Sequence, residues 1–194
     1  GLDLPIQECE QVIDTYRNTY FKIPQLWRQA DVAIVAMHGN KEMWLGREGV
    51  VRVEGRRGIR LPSGLYISYP QIHQAVNDSG HPEWRYKDET GLTNIYGGKL
   101  VENVVQALAR IVVMQQLMKI AKRYQVVLTV HDAVASLVRQ KGIYEALLFV
   151  DECMKYAPEW AKGLPLSCEL GYGISYADAG NKKSITLHKH DFPK

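Results

Sequence analysis

The chain has 194 residues, of which 46% are hydrophobic, so it can bury a sizeable core, and its composition indicates neither disorder nor a membrane span. Lysine and arginine outnumber aspartate and glutamate by 24 to 21, and the resulting net charge of +3 is too mild to establish a nucleic-acid partner. The three cysteines are odd in number and widely spaced, which argues against a disulfide framework or a zinc site. We therefore expect a cytoplasmic protein with one main core and no membrane contact.

The first 45 residues carry the pattern of two helices. Pro5 suits a helix start, and the apolar residues that follow it recur at helical spacing: Ile6, Cys9, Val12, Ile13 and Tyr16. Pro24 suits the first turn of a second helix over residues 25–37, which Gly39 would close. Both helices are predicted to be amphipathic.

Residues 46–70 change to short alternating segments that glycines and a Pro62-Ser63-Gly64 turn separate, which predicts a small antiparallel meander. Positions 47–60 hold five arginines against two glutamates: Arg47, Arg52, Arg56, Arg57 and Arg60. Arginines on an exposed ribbon can reach a phosphate backbone, and an ordinary solvated loop is the alternative. Residues 71–93 are polar, with turn clusters at 77–80 and 88–91, and are predicted to form a loop or irregular ribbon.

A long helix is predicted from residue 99 to about residue 123, because no helix breaker interrupts this stretch. It would run roughly 25 residues, or about 37 Å. Four polar residues fall at steps of three or four and line one stripe: Lys99, Asn103, Gln106 and Arg110. Apolar residues lie on the opposite side: Leu100, Val104, Leu108 and Val112. The polar stripe can face DNA, although a solvated helix face is the simpler explanation.

Two valine-rich runs, residues 126–130 and 133–138, meet at a His131-Asp132 step. Each run is short and apolar, which predicts a hairpin of two buried strands with this step at its tip. A carboxylate beside buried strands is costly unless it is solvated or paired, so Asp132 should face water, a hydrogen-bond donor or a bound cation. The alternative is a turn aspartate that caps its own hairpin.

The remaining pattern predicts a helix over residues 143–157, ended by Pro158, and a strand over residues 164–173. The strand would complete an antiparallel sheet with the hairpin, crossed by the long helix and this helix, which is an α+β layer. Residues 180–194 are basic and poor in pattern, which predicts a flexible tail. His188, His190 and Asp191 could ligate a metal, but their spacing and position favour the tail instead.

The hairpin motif Thr129-Val130-His131-Asp132 resembles the last palm motif of family A (DNA polymerase I-like) DNA polymerases. The resemblance implies that His131 and Asp132 are catalytic, with His131 at the primer terminus and Asp132 as the ligand of catalytic Mg²⁺. The family usually has glutamate at the next position, where this chain has Ala133.

A second stretch, Tyr96-Gly97-Gly98-Lys99-Leu100-Val101-Glu102-Asn103, is similar to a signature of the phage members of that family. The resemblance implies that Gln106 contacts the minor-groove edge of the primer–template, where acceptors are similarly placed in every base pair. The same stripe brings Lys99, Asn103 and Arg110 towards the DNA. The family usually has aspartate where this chain has Ile111.

The resemblance extends from about residue 2 to residue 179, and the first helices resemble those that follow the nucleotide-binding finger helix. It implies an α+β fold with a palm-type antiparallel sheet, a long crossing helix and N-terminal helices from the fingers. The implied organisation is the end of the fingers helices in residues 1–45, a β-ribbon and loop in 46–95, the C-terminal palm in 96–179 and a flexible tail in 180–194.

The implied function is the C-terminal part of a template-directed DNA polymerase that binds primer–template DNA and a dNTP. The implied location is the cytoplasm, which is that of a bacterial host if the chain is phage-encoded. Transfer by two Mg²⁺ ions needs at least two carboxylates, and this chain supplies only Asp132. The thumb, the first palm aspartate and the finger helix would then come from a partner polypeptide or a missing N-terminal portion. The alternative is a non-catalytic, polymerase-derived DNA-binding or scaffold module. Ala133 and Ile111 favour this hypothesis, because they stand where the family usually has acidic residues.

Overall fold

A computed structural model of the chain describes residues 5–180. The predicted tail from residue 181 onwards, with His188, His190 and Asp191, lies outside the described residues. The described part contains α-helices and three antiparallel sheets, so the predicted α+β class is confirmed. Instead of one main core, the described residues form two compact units, which divide between Leu108 and Ala109, inside the longest of the described helices.

Both predicted N-terminal helices are present as α1 (Ile6–Thr19) and α2 (Lys22–His38). Pro5 precedes the first turn of α1, and Gly39 ends α2, as the sequence indicated. Helix α2 buries a stripe of small and apolar residues: Ala30, Ala33, Ile34, Ala36 and Met37. Helix α1 buries none of its residues, so its apolar side is exposed.

The predicted meander is a four-stranded sheet in the order β1 (Glu42–Trp44), β2 (Arg52–Glu54), β3 (Ile59–Arg60) and β4 (Tyr66–Ile67). Its inner face places Val53 and Ile59 fully inside the core of the N-terminal unit. The turn between β2 and β3 requires Gly58, which has φ +106° and whose Cβ would lie 2.2 Å from the carbonyl oxygen of Ile67.

Residues 71–93, predicted to form a loop or irregular ribbon, are more regular than expected. The segment forms a second antiparallel sheet, of three strands: β5 (His73–Val76), β6 (Pro82–Lys87) and β7 (Leu92–Ile95). The two predicted turn clusters are indeed the turns that join these strands. One face of the sheet packs on the core through a few large residues, chiefly Trp84, Tyr86 and Ile95, and the other face is exposed. Most residues of the segment are therefore polar, although it forms regular strands.

The long helix is confirmed as α3 (Gly97–Ala121), 25 residues. Its predicted apolar side is buried in both units, with Leu100 and Val104 in the N-terminal core and Val112 inside the C-terminal unit. Among the described residues it is the one helix long and apolar enough to cross a membrane by length and composition. Core helices of water-soluble proteins meet the same criterion, so this property decides nothing about a membrane.

The C-terminal unit contains the predicted hairpin, β8 (Gln125–Val130) and β9 (Ala133–Leu137), followed by α4 (Ile143–Met154) and α5 (Tyr176–Gly180). The expectation that the two strands are buried is wrong, because neither strand contains a buried residue. They pair only with each other, and no third strand joins them within residues 5–180.

The prediction of a strand over residues 164–173 is also wrong, because the structure has no strand there. The segment instead approaches α5 closely: a Cβ on Gly171 would lie 2.0 Å from the carbonyl oxygen of Ala179. The predicted helix ends earlier than expected, at Met154, where the buried Gln116 of α3 donates to the carbonyl oxygen of Met154 at 2.6 Å. The sheet of this unit is therefore a two-stranded hairpin.

Candidate nucleic-acid interface

Asp132 stands at the exposed tip of the β8–β9 hairpin. The last paired residues are Val130 and Ala133, so His131 and Asp132 form a two-residue turn. His131 adopts φ +52°, the left-handed conformation that tight hairpin turns require. Both side chains are exposed, and within residues 5–180 the Asp132 carboxylate has neither a hydrogen bond nor an ion pair. The carboxylate does not cap its own hairpin, so it is available to an external group.

A complete metal site is not formed by the described residues. Between residues 5 and 180, no three His, Cys, Asp or Glu side chains are grouped closely enough to hold an ion. A carboxylate is a suitable ligand for Mg²⁺, and Asp132 is open to one, but Mg²⁺ with one protein ligand keeps most of its coordination in water. The donor set among residues 5–180 fits one ligand of a shared site and does not fit a site made by these residues alone.

Three of the four predicted polar residues on α3 have hydrogen-bond partners within the N-terminal unit, and two of these three bond to residues outside the helix. Asn103 donates its side-chain N–H to the hydroxyl of Tyr69 at 2.9 Å. The ammonium of Lys99 donates to the carbonyl oxygen of Asn94 at 3.3 Å, a neutral group that leaves the positive charge of the lysine uncompensated. Lys99 can therefore still attract a phosphate, whereas Asn103 has a structural role in addition to any contact with DNA.

Gln106 and Arg110 lie further along α3 and are exposed. The amide of Gln106 donates to the Glu102 carboxylate at 3.1 Å, one turn earlier on the same helix. This exposed bond can exchange for a bond to another acceptor. Ile111, at the position where the resembled family has aspartate, is 9% exposed, so a carboxylate there would be largely buried in this chain.

Most arginines of the meander are already paired with carboxylates. Arg52 contacts Glu42 at 2.5 Å, and Arg60 and Arg57 approach Glu54 at 3.5 and 4.0 Å. The Tyr66 hydroxyl donates to Glu54 at 2.5 Å, and the Arg57 guanidinium lies 4.1 Å from the centre of the Tyr66 ring. The Tyr66 bond, and then Arg60, hold the pKa of Glu54 below its usual value. Glu54 thus neutralises part of the positive charge of the arginines that were predicted to contact DNA.

Arg56 differs from its neighbours in having no carboxylate partner in the described part of the chain. It lines a cavity with four residues that no sequence pattern singled out: His38, Tyr69, Gln71 and Ile72. The signal that could have indicated them is the density of aromatic residues around positions 66–86, combined with the single arginine-rich turn.

Comparison with known proteins gives one informative relative. The chain is 29% identical over 179 residues to a DNA polymerase of Bacillus phage SP02, in an alignment that covers 87% of this chain. It spans 27% of the length of that polymerase. No profile of a known protein family matches the chain, and no solved structure is similar to it. The chain is thus a relative of a phage DNA polymerase.

Proposed function

We propose that this chain is the C-terminal part of a template-directed DNA polymerase of family A, completed by another polypeptide or by an N-terminal portion. The observation that carries the proposal is the exposed Asp132 carboxylate, which has no partner among residues 5–180, at the tip of a two-residue turn. The relationship to a phage DNA polymerase supports the reaction class. The bacterial host cytoplasm is the corresponding location.

The proposed reaction is nucleotidyl transfer. The 3′-hydroxyl oxygen of the primer attacks the α-phosphorus of a dNTP and forms a new phosphodiester bond, its proton passes to water, and the bond from that phosphorus to the leaving pyrophosphate breaks. Bound Mg²⁺ would lower the pKa of the attacking hydroxyl and stabilise the charge on the phosphate oxygens. Asp132 would be a ligand on the primer side, and His131 beside it would position the primer terminus. In this proposal the second carboxylate comes from outside residues 5–180.

The DNA would lie along the polar stripe of α3. Gln106 would exchange its bond to Glu102 for one to a minor-groove acceptor near the primer terminus, which favours correctly paired duplex. Lys99, Arg110 and the arginines Arg56, Arg57 and Arg60 would act through phosphates, because their charge carries no information on base identity. Asn103 would support this surface from its bond to Tyr69.

The missing parts would be the thumb, the first palm aspartate and the finger helix. The lack of a metal-binding cluster among residues 5–180 and the 27% share of the phage relative both support a requirement for further chain. The isolated chain is accordingly expected not to incorporate nucleotides. Template-directed synthesis by this polypeptide alone, free of other polymerases, would contradict that expectation.

The test is substitution of Asp132 in the complete assembly. Asp132→Ala should abolish primer extension while primer–template binding persists, because the residue holds the ion and not the duplex. Asp78→Ala is the matched control, since Asp78 is an exposed aspartate in another strand-connecting turn, between β5 and β6. Equal extension by both variants would refute the catalytic proposal.

The second candidate is a non-catalytic DNA-binding or scaffold module. It is favoured by Ala133 and Ile111, which stand where the resembled family has acidic residues. This alternative predicts duplex binding by an assembly that never extends a primer, with or without Asp132. Measuring binding and extension on the same preparation separates the two.

A further inference from the structure

The cavity that Arg56 lines has a volume of about 340 Å³ and belongs wholly to the N-terminal unit. Three separate parts of the chain form its walls, namely the end of α2, the turn that follows β2 and the connection between β4 and β5. The volume lies near the lower end of the roughly 300–1,000 Å³ range of small-ligand sites. None of the lining residues is acidic.

Two aromatic walls of the cavity are held in place. Nδ1 of His38 donates to the carbonyl oxygen of Ile72 at 3.1 Å, and the His38 ring lies 5.2 Å from the Trp84 ring. Tyr69 is only 4% exposed, and its ring meets that of Tyr86 edge-on at 5.0 Å. These contacts fix the flat rings before any ligand binds, so little side-chain entropy would be lost on binding.

The Tyr69 hydroxyl contributes a donor. Its oxygen accepts a hydrogen bond from the Asn103 amide at 2.9 Å, which leaves its own proton without an acceptor in the described part of the chain. Burial raises the pKa of this phenol, so the proton is retained at neutral pH. A largely buried hydroxyl with a spare proton favours a ligand that carries an acceptor oxygen.

Arg56 supplies the charge. Its backbone N–H donates to the Asn40 side chain at 3.2 Å, and the preceding Gly55 has φ +55° and lies too close to Asn40 for any Cβ. The backbone at Arg56 is therefore fixed, while its guanidinium is free of carboxylates among residues 5–180. A guanidinium without a partner, beside donors and without nearby acid, is a binding group for phosphate.

We propose that this cavity binds a single nucleotide unit, with the base against the aromatic walls and the phosphate at Arg56. Aromatic rings bind bases by stacking regardless of base identity, and an arginine at the rim holds the adjoining phosphate. This inference rests on the proposed function in one respect, namely that the bound nucleotide comes from DNA or its precursors. The nucleotide is either a free deoxynucleotide or an unpaired nucleotide of a single strand, and the two share this chemistry.

Calorimetric titration of the full 194-residue chain tests the proposal. The probes are thymidine monophosphate, an oligothymidylate of about ten nucleotides, thymidine and inorganic phosphate, chosen because stacking tolerates any base. We expect a phosphate-bearing nucleotide to bind more tightly than either thymidine or phosphate alone. Arg56→Ala should weaken this binding about tenfold, since a hydrogen bond to a charged group contributes about 1.5–3 kcal/mol and 1.4 kcal/mol is tenfold.

Arg28→Ala is the matched control. Arg28 is an exposed arginine of the same unit, and it lies ten positions before His38 on α2, about 15 Å along the helix. This variant loses the same charge and should bind as the unsubstituted chain does. Tyr69→Phe keeps the ring and removes the hydroxyl, so it should bind more weakly while thermal unfolding shows that the chain is folded.

Binding of the oligonucleotide alone assigns the cavity to an unpaired strand, whereas comparable binding of the monophosphate assigns it to a free nucleotide. Equal loss in the Arg56 and Arg28 variants, or no binding by the folded chain, overturns the inference. The proposed function fails separately, through primer extension that does not depend on Asp132. The two proposals can therefore fail independently: nucleotide binding at the cavity can be absent while extension depends on Asp132, or binding can be present while extension does not depend on Asp132.

Discussion

The Asp31 carboxylate on α2 accepts a hydrogen bond of 2.6 Å from the backbone N–H of Gly97, the first residue of α3. The first N–H groups of a helix have no partner within the helix, and a negative charge there also complements the helix dipole. This bond therefore fixes where α3 begins relative to α2, and with it the start of the polar stripe that carries Lys99 and Gln106.

Gly97→Ala should destabilise the N-terminal unit. A Cβ at this position would lie 2.1 Å from the carbonyl oxygen of Trp27 and 2.8 Å from Asp31, so the two helices would have to separate. Such overpacking costs about 1–3 kcal/mol. Gly98→Ala is the control, because its Cβ would meet only the Tyr96 ring, at 3.1 Å, and alanine favours a helix by up to about 1 kcal/mol. Urea unfolding of both variants measures the difference, and equal free energies of unfolding would contradict this account.

The Tyr96-Gly97-Gly98 part of the phage signature thus has a packing reason in addition to any role near DNA. Helical periodicity located α3, the glycine-containing turns located the meander, and the two apolar runs on either side of His131-Asp132 located the β8–β9 hairpin. The same reasoning placed Asp132 at a turn. What it could not supply is the environment of that residue, since hydrogen-bond partners come from distant parts of the chain.

Two of the errors in the strand predictions have different physical causes. Residues 164–173 alternate as a strand does, but a strand also needs a pairing partner, and alternation does not report whether one is available. In residues 71–93 the strand β6 shows alternation only at Trp84 and Tyr86. The surrounding polar residues, which belong to the exposed face of the sheet, made this alternation hard to recognise. The Arg56 cavity could not be predicted from the sequence either, because His38 and Tyr69 are distant in sequence and come together only through tertiary packing.

The turn between β6 and β7 should be sensitive to acid through Asp88. Hydrogen bonds from the Thr93 hydroxyl and from Thr90 and Gly91 lower the pKa of its carboxyl to about 2 from the usual 3.8. A depressed pKa means that the stabilisation is complete above about pH 4 and is lost as the pH falls towards 2.

Asp88→Asn should therefore lower the free energy of unfolding at neutral pH, and the difference from the unsubstituted chain should shrink between about pH 4 and pH 2. Urea unfolding of both proteins across this range provides the measurement. Asp78→Asn, at an exposed aspartate of the β5–β6 turn, controls for the loss of one charge. A difference that stays constant with pH would show that the charged form of Asp88 is not what stabilises the turn.

Lys99 and Arg57 should differ in how they affect the salt dependence of primer–template binding. The Lys99 charge faces only a carbonyl group, whereas the Arg57 guanidinium is near Glu54 and over Tyr66. Lys99→Ala should reduce the slope of log affinity against log salt by roughly one unit, the effect of losing one phosphate contact. Arg57→Ala should reduce it by less. Fluorescence anisotropy over a salt series gives both slopes, and an unchanged slope in the Lys99 variant would exclude its phosphate role.

Gln106→Ala should leave that slope unchanged, because the side chain is neutral. The loss of one minor-groove hydrogen bond, about 1 kcal/mol, should instead weaken binding of matched primer–template about fivefold and reduce discrimination against a mismatched terminus. Gln11→Ala, at an exposed glutamine of α1, is the control. If the Gln106 and Gln11 variants discriminate mismatches equally well, Gln106 does not read the minor groove.

Exposed apolar surface on two elements supports the proposed partner polypeptide. On α1, Ile6 is 77% and Val12 62% exposed, and on the hairpin Val127 and Leu137 are 51% and 60% exposed. Both edges of the two-stranded hairpin are also open within the described residues. Apolar patches and open edges of this kind favour association. We expect an interface of obligate size, above about 2,000 Å².

Val12→Asp should weaken association with that partner about tenfold or more, because a charge would enter an apolar interface. The free energy of unfolding of the chain itself should change by less than about 0.5 kcal/mol, since Val12 is exposed in it. Asn18→Asp adds the same charge to the opposite face of α1 and should not affect association. Native mass spectrometry of the complex purified from its source measures both effects. A soluble monomer of 22.0 kDa, with no larger chain that co-purifies and restores primer extension, would refute the partner.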